Sequence, residues 1–466
     1  MASSYIEFMA IEWHLFVTPG LGDNSYLLYS EDEAVIVDPQ RDAWRFLEFA
    51  ESKKLRVCYV LETHLHNDYL SGSLEVRSAT GAKVAAPAKG NYKFDHLRMS
   101  EGLEVRIGTA RIVCWETPGH TFDHVSWIVY EEGEKDPVAL FSGGSLLVGG
   151  AGRTDLLGKD STEELTRKQY QSIQRIKTLP PALAILPTHG AGSFCAAGGE
   201  GKERITTIAG EKKQNHLMNL VSEELFAQEH LASLPAYPAY YAHMAPINRN
   251  GPPILKSLPH IPSIPVSEIG KSNAWIVDMR NRNSFAAAHI PGSINIELDE
   301  SFATYAGWIV PFGAPLILIA EAQKQSEQIQ EAVTQLIRIG YENIKGYLEK
   351  GLEDWAASGG AVRSYATGTI DDLCADYNAG RLRLIDVRQQ TEWDEGHAKE
   401  SVHAFVGDLQ QQTPTVSNEQ WSVACVSGYR SALAASILDA RGVNVRLISP
   451  EGVPAFLRVC PKAKAL

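Results

Sequence analysis

The sequence predicts a multidomain α/β protein, and three observations carry that expectation. The chain has 466 residues, too many for one hydrophobic core, so about two to four domains are expected. Its apolar runs are short and alternate with helical stretches. A Pro- and Tyr-rich crossing separates a first part from a second part that repeats itself weakly.

Tyr26–Tyr29 and Ala34–Asp38 read as two strands joined by the turn Ser30-Glu31-Asp32-Glu33. A helix is expected over Trp44 to Lys53, and a buried strand over Val57 to Leu61. That strand feeds Thr63-His64-Leu65-His66-Asn67-Asp68-Tyr69. If the segment stays extended, His64, His66 and Asp68 share one side. Ser71 to Ala79 reads as a short helix ended by Gly81. A hairpin is expected over Val105 to Trp115 around Gly108. The loop Thr117-Pro118-Gly119-His120-Thr121-Phe122-Asp123-His124 follows, then strands over Val125–Tyr130 and Val138–Phe141. The strand Ala182–Leu186 runs into Pro187-Thr188-His189-Gly190, and Lys202 to His230 reads as mainly helical. The crossing Leu234–Tyr241 and Asn248–Pro253 places a boundary near residue 260.

The net charge of -13 argues against general nucleic-acid binding. No basic-then-apolar leader and no bilayer-length apolar run is visible, so a cytoplasmic protein without a membrane segment is expected. Cys58, Cys114, Cys195, Cys374, Cys425 and Cys460 show no framework spacing, which suits a reducing compartment and separate thiols.

Histidine follows a strand three times, at His64/His66, His120 and His189. Strand ends are where α/β folds place their sites, and packing alone does not explain the repetition. On the HxHxD motif, the PGHT loop and the late histidine loop, the first ~260 residues resemble the metallo-β-lactamase superfamily. That resemblance implies an αβ/βα sandwich with metal between the sheets. Gly152-Arg153-Thr154-Asp155 and His189–Ser193 look most like the persulfide dioxygenases. Two positions depart from the superfamily pattern: Tyr69 stands where a second-site histidine is usual, and Gly144 where a bridging aspartate is usual. Three arrangements remain open. One metal binds through His64, His66 and His120. Or Asp68 or Asp155 supplies a carboxylate, with His189 nearby. Or the site is empty. Tyr69, Arg153 and Cys195 are candidate substrate-side residues, with Arg153 also placed to pair with Asp155. Cys195 reads equally as a buried small residue.

The second part repeats Ile276-Val277-Asp278-Met279-Arg280, Phe285 and His289 as Leu384-Ile385-Asp386-Val387-Arg388, Trp393 and His397. Both halves resemble rhodanese domains, so the expected divisions are 1–260, 261–363 and 364–466. In the last, Trp421–Ala424 delivers Cys425 to a strand end ahead of Val426-Ser427-Gly428-Tyr429-Arg430-Ser431, the rhodanese pattern CxxGxR. Backbone N–H groups of such a loop make an anion nest, and a following helix N-terminus with Arg430 adds positive potential. Those features suit a thiolate or persulfide on Cys425. The first half has Pro315–Ala320 followed by Glu321, and no cysteine, so it is expected to be a structural or docking domain.

The fold expected is thus a metallo-β-lactamase αβ/βα sandwich followed by two rhodanese-like α/β domains, the first without its cysteine. The resemblance to persulfide dioxygenase–rhodanese fusions implies mononuclear Fe(II), with zinc as the alternative. It implies a low-molecular-weight thiol persulfide, dioxygen and sulfite or thiosulfate as reactants, no nucleic-acid or membrane partner, and a homo-oligomer. Two rivals stand beside it. One is a mononuclear thioester hydrolase of the glyoxalase II type. The other is a scaffold in which only Cys425 does chemistry.

Overall fold

In the strand Asp23–Ser30, Tyr26 and Leu28 enter one core while Leu27 enters another. In Glu33–Val37, Val35 and Val37 enter the first core and Ala34 and Ile36 the second. A period of two with apolar residues on both sides means a sheet covered on both faces. This computed structural model describes residues 11–198, 203–271 and 273–465. Lys202, the first residue of the expected helical stretch, lies outside them. The chain divides into two compact units, one running to Leu258 and including Ile337–Gly340, the other made of Pro259–Leu336 and the chain from Tyr341.

The described residues of the first unit build two six-stranded sheets. One runs in the order Glu12–Thr18, Asp23–Ser30, Glu33–Val37, Arg56–Leu61, Lys83–Pro87, Leu97–Met99. The other runs Thr206–Thr207, Ala184–Pro187, Pro137–Gly143, Val125–Glu131, Ala110–Glu116, Glu104–Ile107. Tyr26, Val35 and Leu61 of the first sheet meet Ile112, Trp127 and Phe141 of the second in a shared core. Phe46 and Ala50 of the helix Trp44–Ser52 cover the outer face of the first sheet. Ile173 and Ile176 of the helix Lys159–Ile176 cover that of the second. The result is the four-layer αβ/βα sandwich. The short helix after the histidine motif spans Ser73–Thr80 and ends at Gly81, whose φ of 77° is the left-handed cap conformation that glycine adopts without strain. One local expectation fails. The strand stops at Leu61 and residues 62–71 form an irregular loop, so His64 and His66 come together by loop geometry and not by strand alternation.

The second unit contains two five-stranded parallel sheets with the same order. The first is Ser263–Ile264, Ile344–Leu348, Leu316–Ile319, Trp275–Asp278, Ile294–Asn295. The second is Ala366–Gly368, Val445–Ile448, Trp421–Ala424, Leu384–Asp386, Val402–His403. The repeat extends to atoms. Arg280 pairs with Asp278 and donates to Ala288 O at 2.8 Å. Arg388 pairs with Asp386 and donates to Gly396 O at 2.8 Å. His289 stacks on Phe285 at 4.2 Å and His397 on Trp393 at 3.8 Å.

The expectation of six separate thiols is corrected for two of them. Cys374 and Cys460 form a disulfide across a sequence separation of 86 residues. Cys374 lies in the helix Ile370–Asn378, and that helix packs on Val453–Val459, which ends beside Cys460. No sequence spacing signals a pairing made by helix packing. No helix of the described residues is long and apolar enough to cross a membrane.

Candidate metal centre and sulfur-carrying loop

The metal-site loops start from two adjacent parallel strands. Val37 pairs with Leu61, so Asp38 and Thr63 emerge side by side. Asp38 Oδ1 accepts from Thr63 N at 2.8 Å, and Oδ2 from Thr63 Oγ1 at 2.7 Å and from Thr188. Asp38 thereby ties the His64 loop to the His189 loop. Burial by itself raises its carboxyl, but His66 and these hydrogen bonds bring it below the usual range.

Three imidazoles are each anchored through Nδ1. His64 Nδ1 meets Thr63 Oγ1 at 2.8 Å, His120 Nδ1 meets Arg153 O at 2.6 Å, and His189 Nδ1 meets Asp23 Oδ1 at 2.9 Å. Anchoring one ring nitrogen orients the other, as in metal-ligating histidines. The His64 and His189 Nε2 atoms are 3.4 Å apart, and the His64 and His120 rings lie 4.8 Å apart. His120 Nε2 and His66 Nδ1 are buried without a hydrogen-bond partner. Burial pushes the His64 and His120 imidazoles well below the ordinary histidine value, so both hold a free lone pair at neutral pH. Burial would also lower His189, but Asp68 and Asp23 lift it to about 9.

His66 is held at its other end. Its Nε2 lies 3.2 Å from Asp38 and 3.3 Å from Glu62, with Tyr69 OH at 3.1 Å. The ligand atoms of His64, His66 and His189 lie within 4.8 Å of one another, as do those of His120, His189 and Cys195, and of Asp23, Asp68 and His189. Buried nitrogens of this kind fit a metal ion.

The remaining sequence-selected residues have defined places. Asp68 Oδ2 is 3.2 Å from His189 Nδ1. Arg153 donates to both Asp155 oxygens at 2.7 and 2.9 Å, to Phe194 O at 2.7 Å and to Pro235 O at 2.9 Å. Its guanidinium also covers the Tyr237 ring at 4.4 Å. Its role is to hold the His120 and Cys195 segments together. Asp155 turns toward Arg153. Tyr69 is fully buried, its hydroxyl against Asp38 O at 3.2 Å. Cys195 is fully buried, and burial with Asp68 beside it pushes its thiol well up. His124 is buried, and its Nε2 accepts from Gly144 N at 2.8 Å.

A side chain at 144 is sterically excluded. A Cβ there would sit 2.4 Å from His120 Cδ2, and one on Gly152 would sit 3.0 Å from His120 Cγ. The His120 ring occupies the space a side chain at 144 needs.

Sequence reasoning missed Asp23, Asp38 and Glu62. Asp38 had a signal, since it closes one apolar run next to the run that feeds His64. Asp23 had none.

In the second unit Cys425 follows Trp421–Ala424 and precedes the helix Tyr429–Ala440. It is 1% exposed, and Gly428 N donates to its Sγ at 3.2 Å. Gly428 has φ of 94°, and a Cβ there would lie 2.7 Å from Ser449 Oγ. Arg430 forks onto Glu392, with Nη2 to Oε1 at 2.8 Å. Burial alone would raise Glu392, but Arg430 holds its carboxyl below the usual range. The first rhodanese-like repeat braces this loop: Arg282 Nη1 donates to Ser427 O at 2.8 Å, and Tyr429 OH donates to Glu297 O at 2.7 Å. Tyr305 lies near Cys425 and Arg430, and burial pushes its hydroxyl to about 12. Asp278 pairs with Ile319 where Asp386 pairs with Ala424, so Ala320 occupies the place of Cys425 in the first repeat.

Residues 18–113 match the family described as the Metallo-beta-lactamase superfamily, and residues 266–358 and 369–455 match the Rhodanese-like domain. A human hydroxyacylglutathione hydrolase-like protein is 34% identical over 37% of this chain. The chain spans 58% of that protein's length. Hydroxyacylglutathione hydrolase of Bdellovibrio bacteriovorus is 32% identical over 39% of this chain and 69% of its own. A solved metallo-beta-lactamase from Staphylococcus aureus superposes with a TM-score of 0.65 at 28% identity, covering 73% of this chain and 98% of its own.

Proposed function

We propose, from a chain that belongs to the metallo-β-lactamase superfamily and carries two rhodanese-like domains behind that fold, that the protein oxidises low-molecular-weight persulfides to sulfite at a mononuclear iron site and moves sulfane sulfur on Cys425. One observation supports the combination. A sulfur-carrying loop stands in the same chain as a buried, nitrogen-rich site from which the bridging carboxylate of a two-metal hydrolase is sterically excluded.

The balance is one persulfide, one dioxygen and one water giving one thiol and one sulfite with two protons. Bound iron supplies dioxygen activation next to the terminal sulfur. The chain's own part is orientation. Thr63, the Arg153 carbonyl and Asp23 fix the imidazoles of His64, His120 and His189. The anchoring removes reorganisation when the ion and substrate arrive.

At Cys425 the thiolate attacks the outer sulfur of a persulfide or thiosulfate. The donor S–S bond breaks, and thiol or sulfite leaves with the electron pair. The new Cys425 persulfide then passes its outer sulfur to an acceptor such as sulfite, giving thiosulfate. The Gly428 N–H stabilises negative charge on the attacking sulfur.

The hydroxyacylglutathione hydrolases among the relatives favour a second reading, thioester hydrolysis at a single zinc ion. Iron-loaded and zinc-loaded protein assayed side by side, for sulfite from glutathione persulfide and for hydrolysis of lactoylglutathione, separates the two. Sulfite formation restricted to the iron form supports the first. Hydrolysis by the zinc form without sulfite from either overturns it.

A further inference from the structure

Cys195 has surroundings unlike those of a packing cysteine. It is fully buried, yet its neighbours are Asp68, Asp23 and Arg153, and its Sγ lies within 4.8 Å of ligand nitrogens of His120 and His189. A small residue kept for packing sits among apolar side chains. This one sits among donors.

The backbone holds it there. Arg153 N donates to Cys195 O at 2.9 Å, and Arg153 O receives His120 Nδ1 at 2.6 Å. One residue therefore fixes both the thiol and the imidazole, and Arg153 is itself locked by Asp155 and Phe194 O. His120 Nε2 is buried and has no hydrogen-bond partner, an independent sign that a ligand belongs at that point.

Imidazoles alone bring an iron or zinc ion none of the negative charge that a carboxylate supplies. The 144 position cannot supply it, because the His120 ring lies 2.4 Å from where its Cβ would be. Asp155 is turned away to Arg153, and Asp68 faces His189 Nδ1 at 3.2 Å, the ring nitrogen opposite the one that meets His64. We propose that Cys195 Sγ is a ligand of the metal beside His120 and His189, in place of a carboxylate at 144.

The thiol proton leaves to solvent on metal binding, because the thiolate is the ligand form. A thiolate and imidazole nitrogens would suit either iron or zinc, and the inference rests on the metal site of the proposed function.

Cobalt(II) substitution tests it by a readout independent of turnover. Cobalt–thiolate bonds absorb in the near ultraviolet, and cobalt–imidazole and cobalt–carboxylate bonds do not. Metal-free protein titrated with cobalt is expected to bind one equivalent and develop the charge-transfer band. Cys195→Ser is expected to lose the band and to bind cobalt at least about tenfold more weakly. Cys58→Ser, which alters a partly exposed thiol, is expected to keep both. Far-UV circular dichroism shows that each variant is folded, and Cys195→Ala serves if the serine variant is not. One equivalent bound to wild type without the band, or a band that survives loss of Cys195, overturns the thiolate ligand and leaves the metal site standing. Wild type that binds no cobalt overturns the metal site and the inference together.

Discussion

Restoring the superfamily aspartate at Gly144 is expected to damage the site. A Cβ at 144 meets His120 Cδ2 at 2.4 Å and Cγ at 2.7 Å, well inside any real contact. Neither side can give way. The Gly144 backbone donates to His124 Nε2 at 2.8 Å and accepts from Gly152 N at 2.9 Å. The His120 ring is fixed by Arg153 O at 2.6 Å and backed by Gly152. Over-packing of this kind costs about 1–3 kcal/mol, and losing the His120 hydrogen bond about 0.5–1.5, so Gly144→Ala should destabilise the first unit by about 2–4 kcal/mol. For a unit this size that lowers its melting transition by about 5–15 °C. Calorimetry reads it, the relevant transition being the one that bound metal raises. Gly144→Asp adds a buried charge and should fall at least as far. A Gly144→Ala protein that melts within about 1 °C of wild type, or a Gly144→Asp protein that gains a second metal equivalent, would refute the steric reasoning.

The other predictions concern the anchors and the sulfur loop. Cys425→Ser should abolish sulfane transfer, measured as thiocyanate from thiosulfate and cyanide, while metal content by mass spectrometry stays unchanged. Arg282→Ala removes the brace on Ser427 O from the first repeat and should lower that transfer rate by about tenfold, the equivalent of about 1.4 kcal/mol in the barrier, with the fold intact by circular dichroism. Glu392→Gln should destabilise the second unit by about 1–3 kcal/mol at pH 7. Since Arg430 depresses the folded Glu392 value below the ordinary 4.5, that stabilisation is present above 4.5 and lost as pH falls through the folded value. The gap between wild type and Glu392→Gln in thermal denaturation should therefore narrow as the pH falls below 4.5. Thr63→Val frees His64 Nδ1 and removes a donor to Asp38, and should weaken metal binding about 10- to 100-fold in competition with a chelator.

The fold class was legible because it is written locally. Strand runs such as Ala34–Val37 and Val57–Leu61 are short, apolar and bounded, and the Asp-x-Arg and aromatic–histidine spacing recurs in the second part. The pairings that build the sites are long-range. His189 finds Asp23 across 166 residues, Arg430 finds Glu392 across 38, and Cys374 finds Cys460 across 86. No local pattern encodes these. Gly144 shows the limit most clearly. In sequence it is an absent aspartate, and only the position of the His120 ring makes it a steric requirement.

Oxygen consumption by iron-loaded protein given glutathione persulfide, with sulfite measured in the same vessel, tests the central claim most directly. One dioxygen is expected to be consumed per sulfite formed, with both lost in His64→Ala and His120→Ala and both retained in Cys425→Ser. No oxygen uptake with that persulfide or with persulfides of other small thiols, from protein shown to hold one iron, would contradict it and leave sulfur transfer at Cys425 as the chain's chemistry.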